Sequence, residues 1–259
     1  MIRGKVELDT GDRIEDLQNG YHIIQNPAYF SFGTDAVLLG SFAAVRMGER
    51  VVDFGTGCGI LPILLCAKTK GIHVTGIEIQ HGLVRMAQRS VALNALEDSI
   101  RIVFGDIKDI CNIVSYGVDV VVANPPYGKI NAGKISGSPQ VDIAKREVKC
   151  TLNEIVKSAS RILRTGGRFY LIYTTDRFAE LMECMRAHAV EPKRIMMVAQ
   201  QQDKAPNFML VEGRKGARTG VKFLPTLIVY EPDGTYTKQT KKIYHIEEDD
   251  VCCTSLQHR

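Results

Sequence analysis

The sequence predicts an α/β fold with a mostly parallel, twisted sheet of about seven strands and helices on both faces. From about residue 50 onward, runs of β-branched residues alternate with segments of helical period, which is the pattern of βα units that feed a parallel sheet. The strand-like runs are apolar along their whole length, which is typical of strands covered on both faces. Length supports one large domain, because 259 residues are ordinary for an α/β domain with additions.

The first half of the pattern begins with RVVDF, predicted as a strand over 50–54 because it is apolar and ends at a glycine-rich turn. ILPILLCAK follows that turn as a helix over 60–68. IHVTGIEI is a β-branched strand over 72–79, and HGLVRMAQRSVALNA has the 3.6-residue period of an amphipathic helix over 81–95. IRIVF completes this half as a strand over 100–104.

The second half begins with the apolar strand VDVVVAN over 118–124. LNEIVKSASRIL predicts a helix over 152–163, and the two glycines after it precede the strand RFYLIY over 168–173. RFAELMECMRAH predicts a further helix over 177–188. The last two strands, which we expect to pair antiparallel at the sheet edge, are 194–200 and 207–213.

We expect a single domain over residues 1–246. Within it, 1–32 form an N-terminal lead, and the loops 131–140 and 212–220, rich in Gly with Ser or basic residues, are expected on the substrate side. Residues 247–259 are polar and are expected to form a flexible tail.

Composition restricts the class of protein without naming a partner. The net charge of +4 permits binding to a polyanion but does not require it. The N-terminus has no apolar leader and no later run approaches the roughly 18 apolar residues that span a bilayer, so we expect a cytoplasmic protein that does not bind membranes. The seven cysteines form no C-x-x-C pair, so no metal site is predicted, and nothing indicates an obligate protein partner.

A glycine-rich turn follows the first strand of the pattern. Asp53 lies near the strand end, and Gly55, Gly57 and Gly59 lie in the turn that opens the next helix, where glycines let a backbone approach a ligand closely. The spacing is G-x-G-x-G, whereas a dinucleotide fingerprint needs G-x-G-x-x-G, with a glycine where Ile60 stands. A ligand with a pyrophosphate is therefore disfavoured.

Two acidic residues follow the next two strands. Glu78 ends the second strand, where a carboxylate can accept hydrogen bonds from both hydroxyl groups of a ribose. Asp106 follows the third strand, where it can contact an adenine amino group or cap the next segment. Together with the glycine turn, these residues indicate a site for adenosine without a pyrophosphate.

The stretch VVVANPPYG predicts a clamp for a planar amine or amide. The Asn124 side-chain carbonyl and the Pro125 backbone carbonyl can accept the two N–H bonds of an exocyclic amine, so that the nitrogen lone pair faces an electrophile. Prolines 125 and 126 hold this geometry, and the ring of Tyr127 offers a face on which a base can stack. The alternative is purely structural, with prolines that end a strand and a tyrosine in the core.

These residues together resemble the class I S-adenosylmethionine-dependent methyltransferases that modify adenine N6 or glutamine N5, which have a Rossmann-like fold. GTDAVLLG over 33–40, the short lead and VEGRKGARTG are similar to the bacterial tRNA(Val) adenine-37 N6-methyltransferase family. The resemblance departs at IAKRE, where Lys145 and Arg146 stand in place of the Arg-His pair that is commoner in the family. It implies S-adenosylmethionine as cofactor and tRNA as substrate. The catalytic residues that it implies are Asn124, Pro125, Pro126 and Tyr127. The cofactor-binding residues that it implies are Gly33, Thr34, Asp35, Asp53, Gly55, Thr56, Gly57, Gly59, Glu78, Asp106, Ile107 and Asn124.

Other functions share part of this pattern. Protein glutamine N5-methyltransferases carry the same Asn-Pro-Pro-Tyr motif but resemble a fusion with a large N-terminal domain, and ribosomal-RNA guanine N2-methyltransferases remain an alternative. A catalytically silent RNA-binding module and a nicotinamide oxidoreductase are further alternatives, which the intact motif and the glycine spacing respectively disfavour.

Basic residues in the two loops and in IAKRE are candidates for contact with an RNA backbone. The alternative for each is an ordinary solvated surface. They are Lys129, Lys134, Lys145, Arg146, Arg214, Lys215, Arg218 and Lys222.

Overall fold

A computed structural model describes residue 4 and residues 6–29, 33–127 and 150–246. Its main element is an eight-stranded sheet flanked by helices, and a separate two-stranded hairpin precedes it. The hairpin strands are β1 (Arg13–Asp16) and β2 (His22–Gln25). The strands of the sheet are β3 (Arg50–Phe54), β4 (His73–Glu78), β5 (Ile100–Phe104), β6 (Val118–Ala123), β7 (Leu163–Thr174), β8 (Val190–Ala199), β9 (Phe208–Lys215) and β10 (Lys222–Ile228). The helices are α1 (Thr34–Phe42), α2 (Ile60–Lys68), α3 (His81–Leu93), α4 (Ile110–Ile113), α5 (Leu152–Ile162), α6 (Phe178–Ala187) and α7 (Lys238–Ile243), and short 3-10 turns lie at Ile107–Asp109 and Thr175–Arg177.

The strand order in the sheet is β10-β8-β9-β7-β6-β3-β4-β5, and every strand except β9 runs in the same direction. The predicted α/β architecture is confirmed, as is the antiparallel pairing of the last two predicted strands. The sheet has eight strands instead of about seven, because β10 adds to β8 beyond that pair. The interruption of its apolar run by Pro225 explains why the sequence pattern did not identify β10.

Two apolar layers cover the faces of the sheet. On one face, α1, α2 and α3 pack over side chains such as Val120 and Tyr170, and on the other, α4, α5 and α6 pack over Val121 and Phe169. The alternation of neighbouring residues between faces follows from the two-residue period of a strand. Burial on both sides is the reason that the strand sequences are continuously apolar.

The N-terminal lead contains a hairpin that the sequence analysis did not predict. β2 packs against α3, where the Asn94 side chain accepts from the backbone N–H of His22 at 2.8 Å and donates to its carbonyl at 2.7 Å. The Ser90 hydroxyl accepts from the N–H of Ile24 at 3.1 Å. These bonds hold the lead against the helix that follows Glu78.

The expected loop over 212–220 requires a correction. Residues 212–215 belong to β9, and the turn begins at Gly216. Because β9 is antiparallel to β7, Phe208 pairs with Thr174 near the carboxyl ends of the parallel strands, whereas Arg214 pairs with Arg168 at their amino ends. Residues 214–220 therefore lie at the edge of the sheet opposite the candidate site, and are not on the substrate side.

Several sequence-based expectations fall outside the described residues. These are the loop 131–140, the tail 247–259 and the basic residues Lys129, Lys134, Lys145 and Arg146. Within the residues that the structure describes, no helix is long and apolar enough to cross a membrane.

Candidate active site

The candidate site lies where the central parallel strands end. Phe54 at the end of β3 pairs with Ile77 of β4 on one side and with Ala123 of β6 on the other. The segments that leave these strands therefore meet at one edge of the sheet, which is where open α/β sheets bind their ligands. The glycine turn, Glu78 and the Asn-Pro-Pro-Tyr motif belong to those segments.

Glycine is required in the turn after β3 because the backbone there adopts left-handed conformations, with φ of 69° at Gly55 and 57° at Gly57. The backbone N–H groups of Gly55 and Thr56 donate to the Ile77 carbonyl at 2.9 and 3.0 Å, which ties the turn to β4. A Cβ at Gly59 would approach Ala87 of α3 to 3.3 Å, so this glycine allows close packing of α2 on α3.

Glu78 connects the glycine turn with the start of α3. Its Oε2 accepts from the N–H of Gly57 at 3.0 Å, and its Oε1 accepts from the N–H groups of Ile79 and Gln80 at 3.0 Å each. Burial raises the pKa of this carboxyl group, although the backbone donors oppose the rise. A carboxylate offers about four acceptor positions, so one position near Oε2 is left for a ligand hydroxyl group.

Asp53 lies beneath the turn and is fully buried. Neither of its carboxyl oxygens has a partner of good hydrogen-bond geometry among the described residues. Burial, with a contribution from the nearby charge of Glu78, raises the pKa of Asp53 to about 7 from an ordinary 3.8, although the Thr56 hydroxyl opposes the rise. The protonated form is therefore favoured far more than in an exposed aspartate.

The raised pKa of Asp53 should make folding stability depend on pH. Between pH 3.8 and about 7 the folded protein binds a proton that the unfolded chain has lost, so the free energy of unfolding should fall as pH rises through this range. Asp53→Asn removes this titration. The decrease in the free energy of unfolding across the range should therefore become smaller, by at most about 4 kcal/mol at about 1.4 kcal/mol per pKa unit. Urea unfolding at several pH values measures this, with the exposed Asp109→Asn as control. Parallel profiles for the parent and Asp53→Asn would contradict it.

Asp106 caps the 3-10 turn after β5 and also faces the cavity. Its side chain accepts from the backbone N–H of Lys108 at 2.9 Å and pairs with the Lys108 ammonium at 3.4 Å. Asp106 and the adjacent Ile107 both line the cavity. The structure shows the capping role of this carboxylate, and its contact with an adenine amino group stays a prediction.

The Asn-Pro-Pro-Tyr segment follows β6, and its side chains bond to one another and to α1. The Asn124 Nδ2 donates to Asp35 Oδ2 at 3.2 Å, and the Tyr127 hydroxyl lies 2.8 Å from the same oxygen. The Tyr127 hydroxyl also contacts the Asn124 Oδ1. Asn124 is half-buried and Pro125 is buried, so the motif forms a fixed wall of the cavity.

The ring of Tyr127 is held by two other aromatic rings. It meets Tyr173 edge-on with centroids 5.8 Å apart and lies tilted against Phe208 at 5.2 Å. Burial raises the pKa of the Tyr127 hydroxyl well above its ordinary value, and the nearby Asp35 carboxylate raises it further. The phenol therefore keeps its proton and acts as a hydrogen-bond donor.

One cavity of about 260 Å³ joins these features, and its walls are mainly apolar. It brings together most of the predicted residues. Those that line it are Asp35, Gly55, Thr56, Gly57, Glu78, Asp106, Ile107, Asn124, Pro125, Pro126 and Tyr127.

Four predicted cofactor residues do not line the cavity: Gly33, Thr34, Asp53 and Gly59. Gly33 caps the start of α1, and Thr34 faces the hydroxyl groups of Tyr230 and Tyr244. Asp53 lies beneath the glycine turn and Gly59 packs on α3. All four residues therefore support the walls of the cavity, and the residues next to them in the chain form its surface.

Comparison with known proteins identifies the family of this chain. Residues 20–190 match the family described as the methyltransferase small domain, a match that covers more than half of the chain. The chain belongs to the methyltransferase small domain family. The confirmed fold is that of the class I methyltransferases, in which an antiparallel strand lies beside the parallel ones.

Several relatives of this methyltransferase carry one name. The tRNA1(Val) (adenine(37)-N6)-methyltransferase of Tolumonas auensis is 26% identical over 221 residues, which cover 85% of this chain and 90% of that protein. The protein of the same name from Porphyromonas gingivalis is 29% identical over 229 residues, covering 85% and 89%.

Solved structures share the fold. A predicted O-methyltransferase from Agrobacterium tumefaciens superposes with a TM-score of 0.65 at 22% identity and covers 81% of this chain and 95% of its own. The geranyl diphosphate C-methyltransferase of Streptomyces coelicolor, solved with S-adenosyl-L-homocysteine, gives a TM-score of 0.51 at 14% identity and covers 70% and 76%.

Sequence analysis missed part of the methyltransferase cavity. Ile79, Gln80 and Leu83 follow the acidic strand end, and their position directly after Glu78 was a usable signal. Cys150 and Ile155 follow the Asn-Pro-Pro-Tyr motif by more than 20 residues, and no local pattern connects them to the site. Cys58 lines the cavity as a neutral thiol, because burial raises its pKa to about 12.

The predicted basic residues within the described part of the methyltransferase do not adjoin the cavity. Arg214 pairs with Glu212 at 3.3 Å, and the Lys215 ammonium donates to the Ser160 carbonyl. Arg218 lies beyond them in the same turn, and Lys222 opens β10 beside Arg194. All four lie toward the amino ends of the parallel strands, so their assignment to a substrate-side surface is corrected.

Proposed function

We propose that the protein transfers a methyl group from S-adenosylmethionine to the exocyclic N6 of an adenine in tRNA, namely adenine 37 of tRNA1(Val). The single observation that carries this proposal is the position of Asn124 and Pro125 in the wall of the cavity. The names of the relatives support the choice of substrate, since those relatives align over most of this chain. We also propose a cytoplasmic location, where such a substrate is found.

The cavity suits S-adenosylmethionine in several respects. Glu78 has an acceptor position left for ribose hydroxyl groups, and Ile79, Leu83 and Ile107 offer apolar surface for an adenine ring. The buried Gln80 Oε1 has no partner among the described residues, so a polar ligand would satisfy it. When bound, this cofactor supplies an electrophilic methyl group.

The protein's contribution to the reaction is to orient a weak nucleophile. The lone pair of the adenine amine is delocalised into the ring, and two acceptors on its N–H bonds favour a nitrogen whose lone pair points at the methyl carbon. The Asn124 Oδ1 and the Pro125 carbonyl are those acceptors, and they are fixed before the substrate arrives. The Tyr127 ring is positioned by Tyr173 and Phe208 to stack on the base, which contributes roughly 1–3 kcal/mol.

An anticodon-loop adenine suits this arrangement. A base must leave its stack to enter the clamp, and an unpaired loop base does so at less cost than a base within a duplex. Phosphate contacts should make binding of the RNA depend on salt.

The proposal is tested by incubating the purified protein with S-adenosylmethionine and tRNA1(Val), followed by nucleoside mass spectrometry. We expect N6-methyladenosine in the parent tRNA and none in a tRNA with guanine at position 37. Ribosomal RNA, duplex DNA and a glutamine-bearing protein serve as competing substrates. N2-methylguanosine in ribosomal RNA, methylation of the protein glutamine, or binding of tRNA without any transfer would each refute the assignment in favour of one alternative.

A further inference from the structure

Asp35 contacts the Asn-Pro-Pro-Tyr motif from a distant part of the chain. It lies in the first turn of α1, 89 residues before Asn124. Its Oδ1 accepts from the backbone N–H of Ala36 at 2.9 Å, and its Oδ2 faces Asn124 Nδ2 at 3.2 Å and the Tyr127 hydroxyl at 2.8 Å. Both oxygens are therefore committed, one to the helix and one to the clamp.

The Asp35 carboxylate determines which way the Asn124 amide points. An amide can turn end over end, and only one of the two orientations places its carbonyl oxygen where an amine can reach it. A carboxylate accepts hydrogen bonds and donates none, so it attracts the Asn124 NH2 group and repels the carbonyl oxygen. The orientation with Nδ2 toward Asp35 is the favoured one, and the Oδ1 is then turned away from the carboxylate.

The Tyr127 hydroxyl has two acceptors and only one hydrogen. It contacts both Asp35 Oδ2 and Asn124 Oδ1, so it can donate to only one of them at full strength. A hydrogen bond to a charged acceptor is the stronger of the two. When the hydroxyl donates to Asp35, the lone pairs of the Asn124 Oδ1 remain available to the N–H of an incoming amine.

We infer that Asp35 is a positioning residue for methyl transfer, which orients the Asn124 amide and takes the Tyr127 hydroxyl hydrogen so that Asn124 can accept the substrate amine. This inference rests on the proposed function. It gives Asp35 a role different from the one implied by the resemblance, in which it binds the cofactor.

The two roles differ in what a substitution changes. Substitution of a residue that binds the cofactor changes the dissociation constant of S-adenosylmethionine. Substitution of a residue that acts through Asn124 changes the rate of transfer at saturating cofactor. Asp35→Asn is the sharpest variant because an amide has one acceptor oxygen. If the oxygen of the new amide faces Asn124, its NH2 group faces the N–H of Ala36, and two donors oppose each other. If the new amide turns over, its NH2 group faces the NH2 group of Asn124 instead.

We expect Asp35→Asn and Asp35→Ala each to lower kcat by about 10-fold. This loss is smaller than the loss of about 10²-fold or more expected when a direct transition-state contact is removed. The dissociation constant of S-adenosylmethionine should stay within about twofold of the parent value. The exposed Asp109→Asn is the matched control and should leave both quantities unchanged. Single-turnover transfer and calorimetry measure them, and thermal unfolding confirms that each variant is folded.

A double-substitution cycle tests the route of the effect. In an Asn124→Ala background, Asp35→Asn should cost nothing further, because the amide on which it acts is absent. A parent-like kcat in Asp35→Asn, full additivity with Asn124→Ala, or a loss explained entirely by weaker cofactor binding would each overturn the inference.

A second readout does not depend on catalysis. In protein labelled with 15N-asparagine, the Asn124 side-chain NH2 resonances, identified by their loss in Asn124→Ala, should exchange with solvent slowly in the parent. They should exchange faster in Asp35→Asn and Asp35→Ala. Slow exchange in a parent protein that methylates no tRNA would refute the proposed function and leave the contact intact, whereas equally fast exchange in the parent and both variants would refute the role of Asp35.

Discussion

Asn124→Ala is expected to lower kcat for methyl transfer to tRNA by about 10²-fold or more, because one of the two preorganised acceptors for the amine is lost. Affinity for S-adenosylmethionine should remain nearly that of the parent. The hydrogen bonds that hold the glycine turn run to Ile77 and Glu78, and none of them involves Asn124. Single-turnover transfer measured beside a cofactor titration separates the two effects.

The exposed Asn112 provides a matched control, since Asn112→Ala removes the same amide from α4, outside the cavity. Asn124→Asp is a second useful variant. It keeps the acceptor oxygens but replaces the NH2 group that bonds to Asp35 with a like charge, so it should also transfer slowly. Near-normal transfer by Asn124→Ala would show that the motif is structural and would remove the basis of the proposed mechanism.

Glu78→Ala should have the opposite pattern, with a large loss of cofactor affinity and little change in kcat at saturating cofactor. Each hydrogen bond to a charged group contributes roughly 1.5–3 kcal/mol, so losing the single ribose contact for which Oε2 has room should weaken binding by about 10- to 100-fold. The substitution also leaves the backbone N–H groups of Gly57, Ile79 and Gln80 without their acceptor. Calorimetry with S-adenosylmethionine and S-adenosylhomocysteine measures the affinity.

The same variant should be less stable, since each buried donor left unsatisfied costs roughly 1–3 kcal/mol. Titrations must therefore be made well below its unfolding temperature. Glu97→Ala, at an exposed carboxylate just beyond α3, is the control. Parent-like binding by a folded Glu78→Ala protein would show that the carboxylate serves only the turn, and the ribose assignment would then be wrong.

The local sequence pattern was sufficient to predict several of the elements that carry the site. β3, β5 and α2 have the bounds that the sequence predicts, because each is a short apolar run bordered by glycine or polar residues. Local pattern failed for β1, whose four residues are all exposed, and for α1, whose sequence had been interpreted only as a cofactor segment. Neither segment has the burial periodicity by which such elements are recognised.

The composition of the site was predictable, but its internal contacts were not. Glu78 and Asn124 could be assigned from the strand ends that precede them, since parallel strands end at one edge. The contact of Asp35 with Asn124 depends on how α1 packs across the sheet, which no local motif records. The position of Arg214 depends on the direction of β9, and an antiparallel strand moved that residue to the opposite edge.

The outermost strand, β10, has a consequence for the behaviour of the protein in concentrated solution. An exposed sheet edge offers a row of N–H and C=O groups to which a strand of another molecule can pair, which is a common start of aggregation. β10 forms this edge, but Pro225 has no N–H to donate, and the pairing of β10 with β8 is irregular between Leu224 and Leu227. Pro225, which prevented the prediction of β10 from the sequence, therefore makes this edge of the sheet a poor template for intermolecular β-pairing.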